Sequence, residues 1–308
     1  MMGRAESLIR PPCLKEGDRV RVVAPSGVVN RDRCEAGISL LERWGLVVER
    51  GRHLYGGYNI FSGSDGERLS DLQEALDDTG VKAIFCARGG YGLSRIVDRI
   101  DYRIFMDNPC WIVGYSDITA LHIWVNGFLG VASVHGEMIA GICDSSKEEA
   151  SASSLRDMLF EGGSTVEWES GQYADGVAEG ILSGGNLSLI SNLAGATGVG
   201  LFRNRILFIE ETGEFLYRFD RMIEGLRLAG ISSAVAGLLA GSFSDMEDTE
   251  ISFGRDANAI VKDSFGEQGY AVATSFPAGH SDDNRALMLG AFVRLTVSGG
   301  RCRLEYLD

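Results

Sequence analysis

The chain has 308 residues, 45% hydrophobic and 23% charged, enough for a sizeable core in one large or two medium domains. A net charge of −14 argues against nucleic acid and against an anionic membrane surface as partners, since both call for a basic face. Six cysteines lie scattered without a Cys-x-x-Cys pair, which removes the zinc and redox motifs, and no secretory leader or membrane-length apolar run stands out. A soluble, cytoplasmic, reduced protein is expected, with Cys86 and Cys110 as small core residues.

The first half alternates strand-like and helix-like runs. Arg19 to Ala24 reads as a strand ending at Pro25-Ser26-Gly27. Arg31 to Trp44 has helical spacing, with Ile38, Leu41 and Trp44 on one face. Leu46 to Glu49 is a short strand, and Asp65 to Leu76 a helix with Leu69, Leu72 and Leu76 inward. Ala83 to Cys86 is a buried strand followed by Arg88-Gly89-Gly90-Tyr91-Gly92. Trp111 to Val113 is the next strand, and it runs into Gly114-Tyr115-Ser116-Asp117 and a helix-like run from Ile118 to Val125. Val131 to Val134 begins one more strand, ending at His135-Gly136. This alternation predicts an α/β domain with a parallel sheet covered by helices. Ligands of such sheets sit beyond the carboxyl ends of the strands, the edge that carries Pro25 to Gly27, Arg88 to Gly92 and Ser116.

Residues 144–175 are polar and rich in small side chains, and read as a linker with one short helix near Ser154 to Phe160. Beyond it, Gly180 to Leu182 leads into Ser183-Gly184-Gly185-Asn186 and a helix from Leu187 to Leu193. Arg205 to Ile209 is a strand ending in Glu210-Glu211, and Tyr217 to Ala229 is an amphipathic helix. Ala234 to Ala240, Ala271 to Phe276 and Phe292 to Val297 read as strands. The expected division is a domain over 1–145, a linker over 146–175 and a smaller mixed domain round a curved sheet over 176–308.

Chemistry concentrates at a few of these places. A serine at a strand-to-helix corner is pushed out of the backbone as a nucleophile, and a glycine two residues earlier lets the chain turn sharply. Ser116 fits, although Ile118 stands where Gly-x-Ser-x-Gly has its last glycine; the bland alternative is a Ser-Asp helix cap. A serine needs a base, and the chain has four histidines. His53 is in a polar loop, and His122 lies more than a helical turn beyond Ser116. His280, in a polar loop directly after an apolar strand, is the first candidate, and His135 at a strand end the second. The base needs an acid to fix its tautomer, and Glu210 and Glu211 end the strand RILFI. An oxyanion needs two N–H groups. The Asp117 amide is one natural donor, and the Arg88 to Gly92 loop offers Gly89 or Gly90 as another. The same loop would also suit an anion cradle, though it lacks the phosphate-loop and dinucleotide patterns. The acidic run Ser244 to Glu250 reads as a solvated loop.

Taken together, VVAPSG at 22–27, ERLSDL at 67–72, ARGGYG at 87–92, VGYSDITALH at 113–122, HGEM at 135–138, GGNLSLI at 184–190, FIEETGE at 208–214, YRFDRM at 217–222 and GHSDDN at 279–284 run in one family's order. The chain resembles the LD-carboxypeptidase family of serine peptidases, a family that also includes the microcin-immunity hydrolases. The resemblance implies an N-terminal layered α/β domain similar to class I amidotransferases, a C-terminal swivelling β/β/α barrel-like domain, and homodimers. It also implies a triad of Ser116, Glu210 and His280, with oxyanion donors on the Asp117 amide and on Gly90, or its neighbour Gly89. Departures lie at Glu137, Glu211 and Leu287-Met288-Leu289-Gly290, where the family often has Pro, Asp and Leu-Pro-Leu-Gly.

The expected activity is a cofactor-free and metal-free serine carboxypeptidase of peptidoglycan recycling. It would remove terminal D-alanine from a murein-derived tetrapeptide through an acyl-enzyme on Ser116. The alternative within the fold is a hydrolase of peptidyl or aminoacyl sulfamoyl-adenylates, for which Trp168 and Tyr173 are the candidates for an adenine platform. The alternative outside catalysis is a module that binds an anion on the glycine loops.

Overall fold

The computed structural model describes residues 8–143 and 148–307. The chain divides into two compact units, one running to Gly163 and taking in Asp282–Met288, the other holding Ser164–Ser281 and the segment from Leu289 onward.

The first unit is built on parallel strands β1 (Arg19–Val23), β2 (Val47–Arg50), β3 (Val81–Cys86), β4 (Trp111–Gly114) and β5 (Ser133–His135). β1 pairs with β2 and β3, β3 with β4, and β4 with β5, all in parallel register. β4 is buried at every position, as a strand covered on both faces must be. Helix α1 (Arg31–Arg43) starts at Asn30, whose side chain accepts from the Arg33 amide, and buries Cys34, Gly37, Ile38 and Leu41. α2 (Asp65–Asp77) starts on a reciprocal capping box between Ser64 and Glu67. Its inward face holds Leu72, Ala75 and Leu76 together with Arg68, while Leu69 is half-buried rather than inward. α3 (Arg103–Asp107) is short. After β4 a single 3₁₀ turn (Ser116–Ile118) leads into α4 (Thr119–Trp124), and a wider turn over Val125–Leu129 ends at Gly130 in a left-handed conformation.

The stretch from 148 onward is structured rather than a bare connection. α5 (Glu148–Phe160) belongs to the first unit, whereas β6 (Val166–Glu169) and β7 (Tyr173–Ala174) are the two end strands of the second sheet. β8 (Gly176–Asn186) is longer than its apolar core, because Gly180, Gly184 and Gly185 dilute the strand signal. β9 (Arg205–Thr212) is buried over seven of its eight positions and lies between β8 and β10 (Gly237–Ser244), both parallel to it. Short β11 (Val272–Ala273) continues the sheet beyond β10. The chain then lends β12 (Leu287–Leu289) to the first sheet, as a neighbour of β5, before the antiparallel pair β13 (Phe292–Ser298) and β14 (Arg301–Tyr306). Among the described residues the second sheet is therefore eight-stranded and mixed, in the order β6-β14-β13-β8-β9-β10-β11-β7, with β6 and β7 as its ends. α6 (Leu187–Thr197), α7 (Leu216–Leu228), α8 (Ile231–Ala234) and α9 (Ala257–Phe265) complete this unit. Both units together make the α/β, two-domain architecture expected from the residues.

Candidate active site

In the first unit the carboxyl ends of β1, β3 and β4 share one edge, because the strands are parallel. Ser116 stands there with φ of 62°, a left-handed conformation that costs a non-glycine residue about 1–2 kcal/mol. Its neighbours Gly114, Tyr115, Asp117 and Ile118 are buried while Ser116 is half-exposed, so the corner projects this one side chain. Gly114 admits no side chain: a Cβ there would lie 2.8 Å from Ile118 Cγ1. The Arg88 to Gly92 loop packs directly on the corner. A Cβ on Gly89 would stand 3.0 Å from Ser116 Cβ and 3.2 Å from its Oγ. Gly90 and Gly92 have φ of 108° and 142°, values open to glycine and strained for other residues.

In the second unit His280 and Glu210 form a pair. His280 Nδ1 donates to Glu210 Oε2 at 2.7 Å, and the carboxylate side chain is fully buried. An ionised carboxylate only accepts, so the bond puts the ring proton on Nδ1 and leaves the Nε2 lone pair as a base. The backbone explains how the pair meets. Register between β9 and β10 shifts between Ala240 and Phe243, a bulge opposite the end of β9. The bulged Ser242 amide donates to the Ala278 carbonyl at 2.8 Å, which hangs the histidine loop from β10 beside Glu210. Gly279 turns that loop with φ of 123°, and a Cβ on it would lie 2.5 Å from Ser242 Oγ and 2.9 Å from Glu210 Oε2. The neighbouring acid is committed elsewhere: Glu211 Oε1 accepts from Asn186 Nδ2 at 2.9 Å, and Oε2 from the Ser188 amide and hydroxyl at 2.7 Å. Glu211 thus closes the start of α6, and Glu210 is the one of the two acids that bonds the histidine.

The other three histidines lie in the first unit. His122 is fully buried, with Nε2 donating to the Gly114 carbonyl at 2.8 Å and Nδ1 accepting from Ser133 Oγ at 2.7 Å. Burial lowers its pKa to about 4, so the ring is neutral at pH 7. His135 is buried below Tyr115, with ring centroids 5.6 Å apart. His53 binds Asp71 Oδ1 at 2.7 Å on the flank of α2. Trp168 spends its ring on Phe276 and its Nε1–H on the Thr274 carbonyl at 3.0 Å, and Tyr173 packs at Gly300. Cys86 and Cys110 are core residues, and burial pushes the Cys110 thiol up to about 12. Among the described residues no group of three or more His, Cys, Asp or Glu is disposed to hold a metal ion, and no helix is long and apolar enough to cross a membrane.

Several buried polar groups gave no signal in the sequence. The Asp117 carboxylate, 1% exposed, accepts from Ser26 Oγ at 2.6 Å and from the Leu93 amide at 2.9 Å. Burial lifts its pKa above the usual carboxylate range, against the bonds from Ser26 and Leu93 and the charge of Arg68. Arg68, equally buried, donates to the carbonyls of Pro25 and Gly92 and to Asp65 Oδ1. Glu137 Oε2 accepts from Asn284 Nδ2 at 3.2 Å, both groups being buried in the first unit. Apart from Asp65, three places before Arg68, their partners lie 24 to 147 places away, which single-sequence patterns do not carry.

Known proteins resemble the chain over nearly its whole length. Residues 20–136 match the LD-carboxypeptidase N-terminal domain, and residues 179–295 the LD-carboxypeptidase C-terminal domain. The "probable murein peptide carboxypeptidase" of Bacillus subtilis is 32% identical over 288 residues, covering 92% of this chain and 90% of the relative. The murein tetrapeptide carboxypeptidase of Pseudomonas aeruginosa is 29% identical, covering 92% of this chain and 94% of the relative. The crystal structure of muramoyltetrapeptide carboxypeptidase from Oxalobacter formigenes superposes with a TM-score of 0.84 at 26% identity, over 94% of this chain and 99% of that one. A structure of MccF in complex with glutamyl sulfamoyl guanosine gives 0.85 at 19% identity, over 96% and 98%, a likeness of fold. The chain belongs to the LD-carboxypeptidase family and is a serine-type carboxypeptidase.

Proposed function

We propose that this family member removes the terminal D-alanine from murein-derived tetrapeptides in the cytoplasm, with Ser116 as nucleophile, His280 as base and Glu210 as the group that orients the base. The Glu210–His280 hydrogen bond of 2.7 Å carries the reading, because it fixes the tautomer a general base requires. The name and extent of the Pseudomonas relative support the choice of peptide. Family resemblance supports a homodimer.

In this reading His280 Nε2 takes the Ser116 hydroxyl proton as Oγ attacks the carbonyl of the diamino-acid residue. The tetrahedral oxyanion rests on the Asp117 amide and a glycine amide, Gly90 before Gly89. The imidazolium, stabilised by Glu210, returns the proton to the leaving amine of D-alanine. A water, deprotonated by the same ring, then releases the tripeptide and regenerates Ser116. Asp117 serves here through its backbone, which sits at the start of a helical turn.

Incubation with murein tetrapeptide should yield tripeptide and D-alanine with the wild type, and none above background with Ser116→Ala. Equal product from both proteins would reject Ser116 as the nucleophile. An aminoacyl sulfamoyl-adenylate in the parallel assay covers the alternative supported by fold likeness to MccF. Cleavage of that compound without release of D-alanine would replace the murein substrate.

A further inference from the structure

Pro25-Ser26-Gly27 has no step in the proposed reaction, yet the bonds around the serine corner converge on it. Ser26 is fully buried, and its hydroxyl donates to Asp117 Oδ2. The same oxygen takes the Leu93 N–H, the first amide beyond the Arg88 to Gly92 loop. One carboxylate oxygen therefore ties together the segments that follow β1, β3 and β4. The Gly27 amide donates to the Gly89 carbonyl at 3.0 Å. A planar trans peptide aims its N–H opposite to its C=O, so this bond sets the direction of the Gly90 N–H. Arg68 clamps the same segments from behind through Pro25 O and Gly92 O.

We propose that Ser26 and the Asp117 carboxylate are positioning residues, which lock the left-handed serine corner to the Arg88 to Gly92 loop and so fix both oxyanion donors before substrate arrives. The inference rests on the assignment of Ser116 as nucleophile and of Asp117 and Gly90 as donors. Two observations make the tie a device of the site rather than general core packing. Ser116 holds an unfavourable φ of 62°, which persists only when the surroundings over-determine it, and the adjoining residue is the one anchored on both sides. The tie also spans the two segments that must keep a fixed spacing for two N–H groups to meet one oxygen. A displacement of either segment by about 1 Å costs on the order of a hundredfold in rate.

The test is the rate at which a fluorophosphonate labels Ser116, in a reaction that forms the serine O–P bond and expels fluoride. It is read by mass spectrometry beside Tm for the wild type, Ser26→Ala, Asp117→Ala, Asp117→Asn and Ser116→Ala. Ser26→Ala should label about tenfold more slowly and Asp117→Ala about a hundredfold more slowly. Asp117→Asn, which keeps an acceptor oxygen, should recover about tenfold of that loss. D-alanine release should show the same falls in kcat with KM little changed, because ground-state binding does not use the oxyanion donors. Wild-type labelling rates in Ser26→Ala and Asp117→Ala overturn the tie while leaving the nucleophile intact. Losses that follow Tm alone, with Asn no better than Ala, also overturn it. A wild type that takes no label, or Ser116→Ala that labels equally, refutes the nucleophile and the inference with it. If Asp117→Ala does not fold, Ser26→Ala and Asp117→Asn still decide the matter.

Discussion

The serine corner and the Glu210–His280 pair both present a polar side chain at the end of a parallel strand, and they do so by different means. At the corner the backbone holds the group: a left-handed serine, a glycine before it and glycines in the loop packed on it. At the pair a side chain holds the group: a fully buried carboxylate accepts from the ring, and a bulge in β10 delivers the loop. The difference teaches where each is vulnerable. The pair suffers from any change of charge, hydrogen bonding or position at its partner, whereas the corner suffers less from one methyl added beside it and more from loss of the Ser26–Asp117 tie.

The largest expected effect is therefore on the pair's chemistry. Glu210→Gln keeps size but no longer stabilises an imidazolium, so kcat should fall about 10⁴-fold with the protein still folded. A loss below tenfold would mean that the buried carboxylate serves packing rather than catalysis. Gly279→Ala comes next, since its Cβ must displace Ser242 Oγ and Glu210 from a backbone at φ of 123°. It should lower kcat about a hundredfold and stability by roughly 1–3 kcal/mol, measured by denaturant unfolding. Gly89→Ala probes the corner with the same added methyl, which meets Ser116 at 3.0 Å without a left-handed backbone to strain. About tenfold in kcat with nearly unchanged Tm is expected, and a change as large as that of Gly279→Ala would erase the contrast between the regions.

The smallest effect concerns the footing of the corner. His122 holds the Gly114 carbonyl as a neutral ring with its pKa lowered to about 4. The unfolded chain binds this proton below about 6.5 while the native state resists it, so stability is full above that pH and falls as pH drops from 6.5 towards 4. Thermal unfolding should show Tm lower by roughly 2–4 °C at pH 5 than at pH 7 from this group. The slope should flatten in His122→Asn; an unchanged slope would show that other groups carry it.

Much of the first unit was legible because parallel strands buried on both faces read as apolar runs and their ends can be counted off. The expected strands at Arg19, Ala83, Trp111 and Val131 correspond to β1, β3, β4 and β5, within a few residues at their ends. RILFI was legible for the same reason, and it led to the pair Glu210-Glu211. β8 was only partly legible, since its glycines allow strands to approach closely and look like turns. A Cβ on Gly184 would come 1.9 Å from the Phe208 carbonyl. β14, whose charged Arg301, Arg303 and Glu305 alternate with Cys302, Leu304 and Tyr306, and α9 were not read from the sequence. The return of Asp282–Met288 to the first unit has no local pattern at all. At the site, the residue types and order pointed to Ser116 and His280 and left Glu210 and Glu211 as an open pair, from which the family resemblance chose Glu210; Arg68 and the Asp117 carboxylate did not announce themselves. A buried charge is recognised by its partners, and apart from Asp65 theirs are backbone groups and a serine 91 positions away.

The central claim is that Ser116 is a nucleophile served by His280. Labelling the folded protein with a fluorophosphonate and locating the adduct by peptide mass spectrometry tests it most directly. A single adduct on the peptide containing Ser116, lost in Ser116→Ala and slowed at least a hundredfold in His280→Ala, is the predicted result. An adduct on another residue, or labelling of His280→Ala at the wild-type rate, would contradict it.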